Sequence, residues 1–147
     1  MKNDLMNAEP WNRCFGCSPH NDRGLKLTFT QTGDGTVESR YQVPDHLVGP
    51  PGAVHGGVQA VLLDEVMGVT ARVNAGAETT MAVTAELRLR YRRPAPVGQT
   101  LVIRGKLLRS EGDDLFVSGE ILGPDREILT VAEARFRAVP RFASDRA

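Results

Sequence analysis

Groups that could polarise and attack a carbonyl lie close together in one stretch of this sequence. The stretch VHGGVQAVLLDEVMGVTARV begins with His55, Gly56 and Gly57 and carries Asp64 and Glu65 at its centre. Glycines at the start of a helix leave backbone N–H groups bare, and such a terminus stabilises an anion or a developing oxyanion. A carboxylate nine residues after the histidine could act as a base or as a nucleophile. The spacing favours a site where a polarised carbonyl meets an acid.

Each of these residues also has a purely structural interpretation. A carboxylate in an apolar helix is costly unless it is paired or hydrogen-bonded, so an arginine or backbone donors could satisfy Asp64. The alternative is a catalytic acid on a desolvated wall, because such acids cluster at functional sites. His55 could cap the helix, or it could orient a carbonyl. Glu65 lies roughly 100° further round the helix than Asp64, so only one of the two acids can face a given pocket.

A long helix must position these groups. Residues 57–73 contain no proline, and the run is longer than an ordinary strand. Apolar side chains cover most of its circumference, which predicts a buried helix. Small residues recur along one face, and Asp64 is the only charged group on that face. We therefore expect this face to lie close against a sheet or a partner.

Strand-like segments flank the helix, two before it and four after it. Apolar and polar residues alternate within them, and proline- or glycine-rich turns separate most of them. Sequential hairpins imply an antiparallel sheet, and the helix is the only element that can cover its apolar face. The predicted fold class is α+β, with one long helix wrapped by an antiparallel sheet of about six strands. The segments are 25–30, 36–43, 83–92, 101–109, 115–122 and 128–139.

The leader, residues 1–23, carries a CxxC formed by Cys14 and Cys17, with His20 three residues on. A zinc site needs four ligands, and no second cysteine pair exists to complete one. A redox CxxC usually precedes a helix in a βαβ unit, whereas strand-like sequence follows here. A role in loop packing is therefore favoured over metal or redox chemistry. Trp11 and Phe15 are expected to cover an open end of the core.

The run RLRYRRP is the only basic cluster of the chain. Long charged side chains at alternate positions usually form the solvated face of a sheet. The alternative is a docking site for phosphates, which arginine binds through bidentate contacts. The residues concerned are Arg88, Arg90, Arg92 and Arg93.

Length and composition restrict the class of protein. The chain has 147 residues, which suits a single domain, expected over residues 24–140 with a frayed tail at 141–147. The formal net charge is zero, which argues against a nucleic-acid binder. No apolar run is long enough to span a membrane, and the N-terminus lacks the apolar core of a signal peptide. With two cysteines and no export signal, a cytoplasmic protein is expected.

The stretch VHGGVQAVLLDEVMG followed by LRYRRPAPVG resembles the hotdog-fold acyl-CoA thioesterases of the phenylacetate-degradation (PaaI-like) type. The leader CFGCSPHNDRGLKLTF is similar to the N-terminal stretch of many bacterial members. The resemblance extends over about residues 14–139. It implies a long helix wrapped by a sheet, and active sites between the protomers of a homodimer, which often pairs into a homotetramer. It implies no metal and no cofactor besides the CoA of the substrate.

The resemblance also implies roles for individual residues. The Gly56 N–H, next to His55, would polarise the thioester carbonyl, and Asp64 of the other protomer would act as nucleophile or as base for water. Thr84 would hold the attacking water, although simple strand alternation places it on the polar face. Gly57 and the four arginines would bind substrate, the arginines through CoA phosphates.

Two departures from the family pattern leave alternatives. Many members carry an asparagine six residues before the histidine, where this chain has Gly49. A neighbouring branch uses a glutamate on this helix, so Glu65 is a second candidate for the catalytic acid. The competing functions are a non-catalytic acyl-CoA-binding module and an acyl-thioester hydratase or dehydratase.

Overall fold

The computed structural model describes residues 9–75 and 80–140, which form one helix packed against one antiparallel sheet. The sheet has six strands in the order β1-β2-β4-β5-β6-β3. The predicted α+β arrangement is confirmed. The elements are β1 (Thr30–Gly33), β2 (Thr36–Gln42), a 3-10 turn (Asp45–Leu47), α1 (Gly56–Asn74), β3 (Thr80–Tyr91), β4 (Thr100–Glu111), β5 (Asp114–Leu122) and β6 (Ile128–Pro140).

The helix α1 packs its apolar face on the centre of the sheet. Leu62, Leu63 and Met67 are fully buried there, and burying one such side chain contributes about 1.5–3 kcal/mol. Two strand glycines allow the close approach. A Cβ at Gly105 would overlap the Thr70 hydroxyl, and a Cβ at Gly119 would lie 2.6 Å from the Met67 sulfur. The small residues that bring helix and sheet together therefore lie on the sheet as well as on the helix.

The first predicted strand, 25–30, is wrong in its position. Leu25, Leu27 and Phe29 are buried, so the alternation of this segment was correctly identified. Its backbone, however, pairs with the leader: the Leu25 N–H donates to the Phe15 carbonyl and the Leu27 N–H to the Gly16 carbonyl, both at 2.9 Å. Lys26 has φ +56°, which breaks the extended conformation. The first strand of the sheet, β1, begins only at Thr30.

The leader lies against the domain over its described residues, but its aromatic residues do not behave alike. Trp11 is half-buried, whereas 51% of Phe15 is exposed, so the expectation that Phe15 covers the core is wrong. The predicted frayed tail lies outside the described residues, as does most of the predicted turn after α1. Within the described ranges, no helix combines the length and hydropathy needed to cross a bilayer.

Candidate active site

Asp64 lies on α1 and faces strand β3, where a hydroxyl meets its carboxylate. The Thr84 Oγ1 donates a hydrogen bond to Asp64 Oδ1 over 2.7 Å. Asp64 is half-buried, and Thr84 is exposed on the surface of the chain. Both residues line a cavity of about 180 Å³ between α1, β3 and the leader. The structure thus brings together two residues that lie twenty positions apart in the sequence.

A β-bulge in β3 turns Thr84 toward the helix. Thr84 lies opposite the buried Phe136, whereas Glu86 lies opposite Arg135 and forms an ion pair with it at 3.0 Å. The register shifts between these two positions, so Ala85 is an extra residue in the strand. Because a bulge reverses the alternation, Thr84 does not share the outer face with Glu86. The expectation from simple alternation, that Thr84 is on the polar face, is wrong for this reason.

The N-terminus of α1 presents one unused backbone donor. His55 is the N-cap, and its Nδ1 accepts the Gly57 N–H at 3.0 Å. Its carbonyl accepts the N–H groups of Val58 and Gln59 at 2.9 and 3.1 Å. No described residue accepts the Gly56 N–H. The donor left for an anion or a carbonyl oxygen is therefore that of Gly56, while the Gly57 N–H is already occupied.

Tyr91 was not identified from the sequence, and it supports this terminus. Its hydroxyl donates to the Gly56 carbonyl at 2.8 Å, so strand β3 holds the start of α1 as well as Asp64. Gly56 and Asp64 are eight residues apart, which is about 12 Å along the helix axis. A donor and an attacking group must both lie about 3 Å from one carbonyl. The two groups of a single chain therefore cannot act on the same carbonyl.

Gly49, which stands at the position of the family asparagine, lies where a side chain would be crowded. A Cβ there would be 3.0 Å from the Cα of His55. The loop is held in this position by two backbone hydrogen bonds, from Gly49 to Ala53 at 2.8 Å and from His55 to Leu47 at 3.0 Å. In this chain the polar contact to Asp64 comes from Thr84 instead.

Glu65 contacts the leader rather than Thr84, but it lines the same cavity as Asp64. The expectation that only one of the two acids faces a given pocket is therefore wrong. A hydrogen bond of 3.1 Å joins Glu65 Oε1 to the Sγ of Cys14. Burial, and then the negative charge of Cys14, raise the pKa of Glu65 to about 8. A hydrogen bond from the Cys17 thiol lowers the pKa of Cys14 to about 5 against the effect of burial. The same hydrogen bond, together with burial, raises the pKa of Cys17.

The linked protonation of Cys14 and Glu65 predicts how the stability of the variant Cys14→Ser depends on pH. Between about pH 5 and 8, Cys14 and Glu65 together hold one proton in the folded chain, and also in the unfolded chain, where their pKa values are ordinary. The pair therefore adds no pH dependence to wild-type stability over this range. A serine does not ionise in this range. In Cys14→Ser, the pKa of Glu65 alone therefore sets how the pair affects the pH dependence of stability.

Burial raises the pKa of Glu65 in the folded state. The contribution of protonated Glu65 to stability is therefore complete below its ordinary pKa, near 4.5, and is lost as the pH rises through the folded-state pKa. We expect the unfolding free energy of Cys14→Ser, relative to wild type, to fall by about 1–3 kcal/mol between pH 5 and 7. Urea unfolding of both proteins in metal-free buffer measures this difference. A difference that does not change with pH would contradict the shared proton.

The arginines lie on the opposite face of the sheet from Asp64. Arg88, Arg90 and Arg92 line an outer groove of about 560 Å³, together with Arg104 and Lys106 from β4. Arg104 is neutralised by Glu38 and Glu120 at 2.6 and 3.1 Å. The first three arginines form no ion pair with any residue in the described ranges. Arg93 is exposed and does not line the groove.

Comparisons of the sequence with known proteins identify its family and its relatives. Residues 51–129 match the thioesterase superfamily profile. Acyl-coenzyme A thioesterase THEM4 of Rattus norvegicus is 39% identical over 109 residues, which cover 74% of this chain and 45% of the rat protein. The chain spans at most half the length of the curated relatives that it matches.

Solved structures extend this similarity. A thioesterase superfamily protein of known crystal structure is 32% identical with a TM-score of 0.75, over 84% of this chain and 62% of its own. A phenylacetic acid degradation-related protein of Ralstonia eutropha, described as a putative thioesterase, is 28% identical with a TM-score of 0.68. The match covers 77% of this chain and 85% of the Ralstonia chain.

Proposed function

The chain belongs to the thioesterase superfamily and has its hotdog fold, and on this premise we propose that it hydrolyses acyl-CoA thioesters to a free acid and CoA. The resemblance to PaaI-like thioesterases inferred from the sequence is confirmed. One observation carries the proposal: Asp64 is held by Thr84 beside a cavity. The Gly56 N–H at the start of α1, which no described residue accepts, supplies the second group that the chemistry needs.

The proposed chemistry uses these groups in one sequence of steps. The Gly56 N–H donates to the thioester oxygen, where negative charge develops as the carbonyl carbon is attacked. Asp64 either takes a proton from the attacking water or attacks the carbon itself. The C–S bond then breaks, and the CoA sulfur leaves with the electron pair and takes up a proton. The Thr84 hydroxyl donates its only hydrogen bond to Asp64, so its oxygen can act toward a water molecule only as an acceptor.

We propose a homodimer as the catalytic unit, from which a tetramer could be built. The 12 Å between Gly56 and Asp64 along the helix requires that a second chain supply one of them. Among the described strands, β3 is a twelve-residue edge strand that pairs only with β6, and 37% of Val83 and 51% of Tyr91 are exposed on it. Such an edge is a ready template for pairing with a second copy. Tyr91 and Thr84 both lie on β3, so this pairing would bring the two half-sites together.

The CoA phosphates provide a role for the basic groove. We propose that Arg88, Arg90 and Arg92 bind them, with Arg93 at the end of the strand, because guanidinium groups without an ion pair among the described residues favour phosphate. We further propose a cytoplasmic location, since both cysteines are free thiols and a reducing compartment keeps them so.

The test of this proposal is the release of free thiol from short, medium, long-chain and aryl acyl-CoAs by the purified chain. Hydrolysis of at least one class is expected. Binding of an acyl-CoA without thiol release would instead support a non-catalytic module. Loss of an enoyl-CoA double bond without thiol release would support a hydratase.

We expect Thr84→Val to lower kcat by about 10–100-fold, because a hydrogen bond to a charged group contributes about 1.5–3 kcal/mol. Valine has the shape of threonine without the hydroxyl, and Thr84→Ser, which restores the hydroxyl, is the matched control. Steady-state kinetics of the three proteins measure the effect. An unchanged kcat in Thr84→Val would remove Thr84 from the site.

A further inference from the structure

The CxxC of the leader and Glu65 of α1 converge on one point. The two cysteine sulfurs and a Glu65 carboxylate oxygen all lie within 4.8 Å of one another, and each of the three residues is half-buried. They form one wall of the cavity that also contains Asp64. We propose that Cys14, Cys17 and Glu65 bind one Zn²⁺ ion, whose fourth coordination position opens into this cavity.

The donor set and its spacing suit this ion. Zn²⁺ binds thiolate sulfur at about 2.3 Å and carboxylate oxygen at about 2.0–2.2 Å, which places the ligand atoms of a tetrahedral site roughly 3.5–3.8 Å apart. The Cys14 sulfur and the Glu65 oxygen are 3.1 Å apart, so they need to separate only slightly. Three protein ligands with one open position form an exchangeable site rather than a closed structural one.

Polar donors reach both cysteine sulfurs. The Gly16 N–H donates to the Cys14 sulfur at 3.3 Å, and the Cys17 N–H also donates to it. The Asn12 amide donates to the Cys17 sulfur at 3.9 Å. Donors of this kind orient metal-binding thiolates and stabilise their charge. Each sulfur thus already has a supporting donor other than Glu65.

Gly16 explains how a helix residue reaches a leader loop. A Cβ at position 16 would overlap the Glu65 side chain, so glycine lets the carboxylate keep this position beside the loop. The Gly16 carbonyl also accepts the Leu27 N–H at 2.9 Å, which fixes the loop against the following segment. The third ligand is therefore enclosed by a loop whose own position is set by backbone hydrogen bonds.

The charge balance of binding is simple. Binding releases two protons to solvent, the one on the Cys17 thiol and the one that Cys14 and Glu65 share. Two thiolates and one carboxylate then bind the ion, and a water molecule completes the tetrahedron. One Zn²⁺ with three anionic ligands leaves the site with a net charge of −1. A disulfide between Cys14 and Cys17 would not involve Glu65, so dependence on Glu65 separates the two possibilities.

The experiment uses the full chain, reduced and stripped of metal, and titrates it with Co²⁺ and then with Zn²⁺. We expect one equivalent of Co²⁺ to give tetrahedral d–d bands and a thiolate-to-metal charge-transfer band, both abolished when Zn²⁺ displaces it. X-ray absorption of the zinc-loaded wild type should show two sulfur and two oxygen ligands. This measurement needs no variant, and it does not depend on thioesterase activity.

Variants then identify the ligands, with far-ultraviolet circular dichroism as the check on folding. Cys14→Ser and Cys17→Ser should lose the charge-transfer band, and Glu65→Gln should bind Zn²⁺ at least about 10–100-fold more weakly, the loss seen even for outer-shell changes. His20→Gln is the matched control and should bind like wild type. The absence of a charge-transfer band in reduced wild type, or full affinity in Glu65→Gln, would overturn the proposal.

Discussion

We expect Asp64→Asn to lower kcat for acyl-CoA hydrolysis by about 10²–10⁴-fold, the range typical of losing a general base. Asparagine keeps the size and can still accept the hydrogen bond from Thr84, but it can neither take a proton from water nor form an acyl-enzyme. The fold should therefore be preserved while the chemical step is lost. Thiol release at saturating substrate, with melting temperature as a check on folding, measures the effect.

Two further variants show whether this loss is specific. Asp125→Asn removes an exposed carboxylate from the turn between β5 and β6, and it should hydrolyse substrate at the wild-type rate. Glu65→Gln tests the neighbouring acid, which faces the cysteines rather than Thr84. A large loss of kcat in Glu65→Gln, with Asp64→Asn near wild type, would transfer the catalytic role to Glu65.

Gly56→Pro should lower kcat by about 10²–10³-fold, because it removes the backbone donor proposed to polarise the carbonyl. Loss of one such donor costs about 3–4 kcal/mol of transition-state stabilisation. The backbone accepts proline here. Position 56 is the first residue of α1, where proline is well tolerated, and His55 has φ −55° and ψ 134°, a conformation that suits a residue before proline.

The variant Gly56→Ala distinguishes the loss of the backbone donor from the effect of an added side chain at position 56. It keeps the N–H, and its Cβ would lie 3.6 Å from the Tyr91 ring, an ordinary contact distance. We expect a loss of kcat at least tenfold smaller than that of the proline variant. Equal losses in the two variants would mean that space at position 56 matters, and not the donor.

The fold could be predicted because its signals are local. Residues 57–73 have helical length and an apolar surface, and α1 extends only one residue beyond each end of that range. The segments after α1 alternate and are separated by strong turn residues, so β4, β5 and β6 fall close to the predicted bounds. The spacing of Gly56 and Asp64 on one helix is fixed in the same way, since helix geometry depends on residue number alone.

The features that the sequence did not predict depend on contacts between distant segments, which a single sequence does not show. The bulge at Ala85 is set by the register of β3 on β6, and that register decides which face Thr84 occupies. Residues 25–27 pair with the leader rather than with the sheet through backbone hydrogen bonds, which the side-chain pattern does not reveal. Zinc was disfavoured because no second cysteine pair exists, but the structure brings Glu65 to the two cysteines from 48 residues further along.

The contact between Gly16 and Glu65 has an evolutionary consequence. A larger residue at position 16 would displace the carboxylate, and a buried carboxylate without its thiol neighbours would be unfavourable. Substitutions at positions 14, 16, 17 and 65 should therefore be inherited as a set among homologues, because residues in contact vary together. Lineages that lost the cysteines should also have replaced the glutamate, and those lineages are free to carry a side chain at position 16.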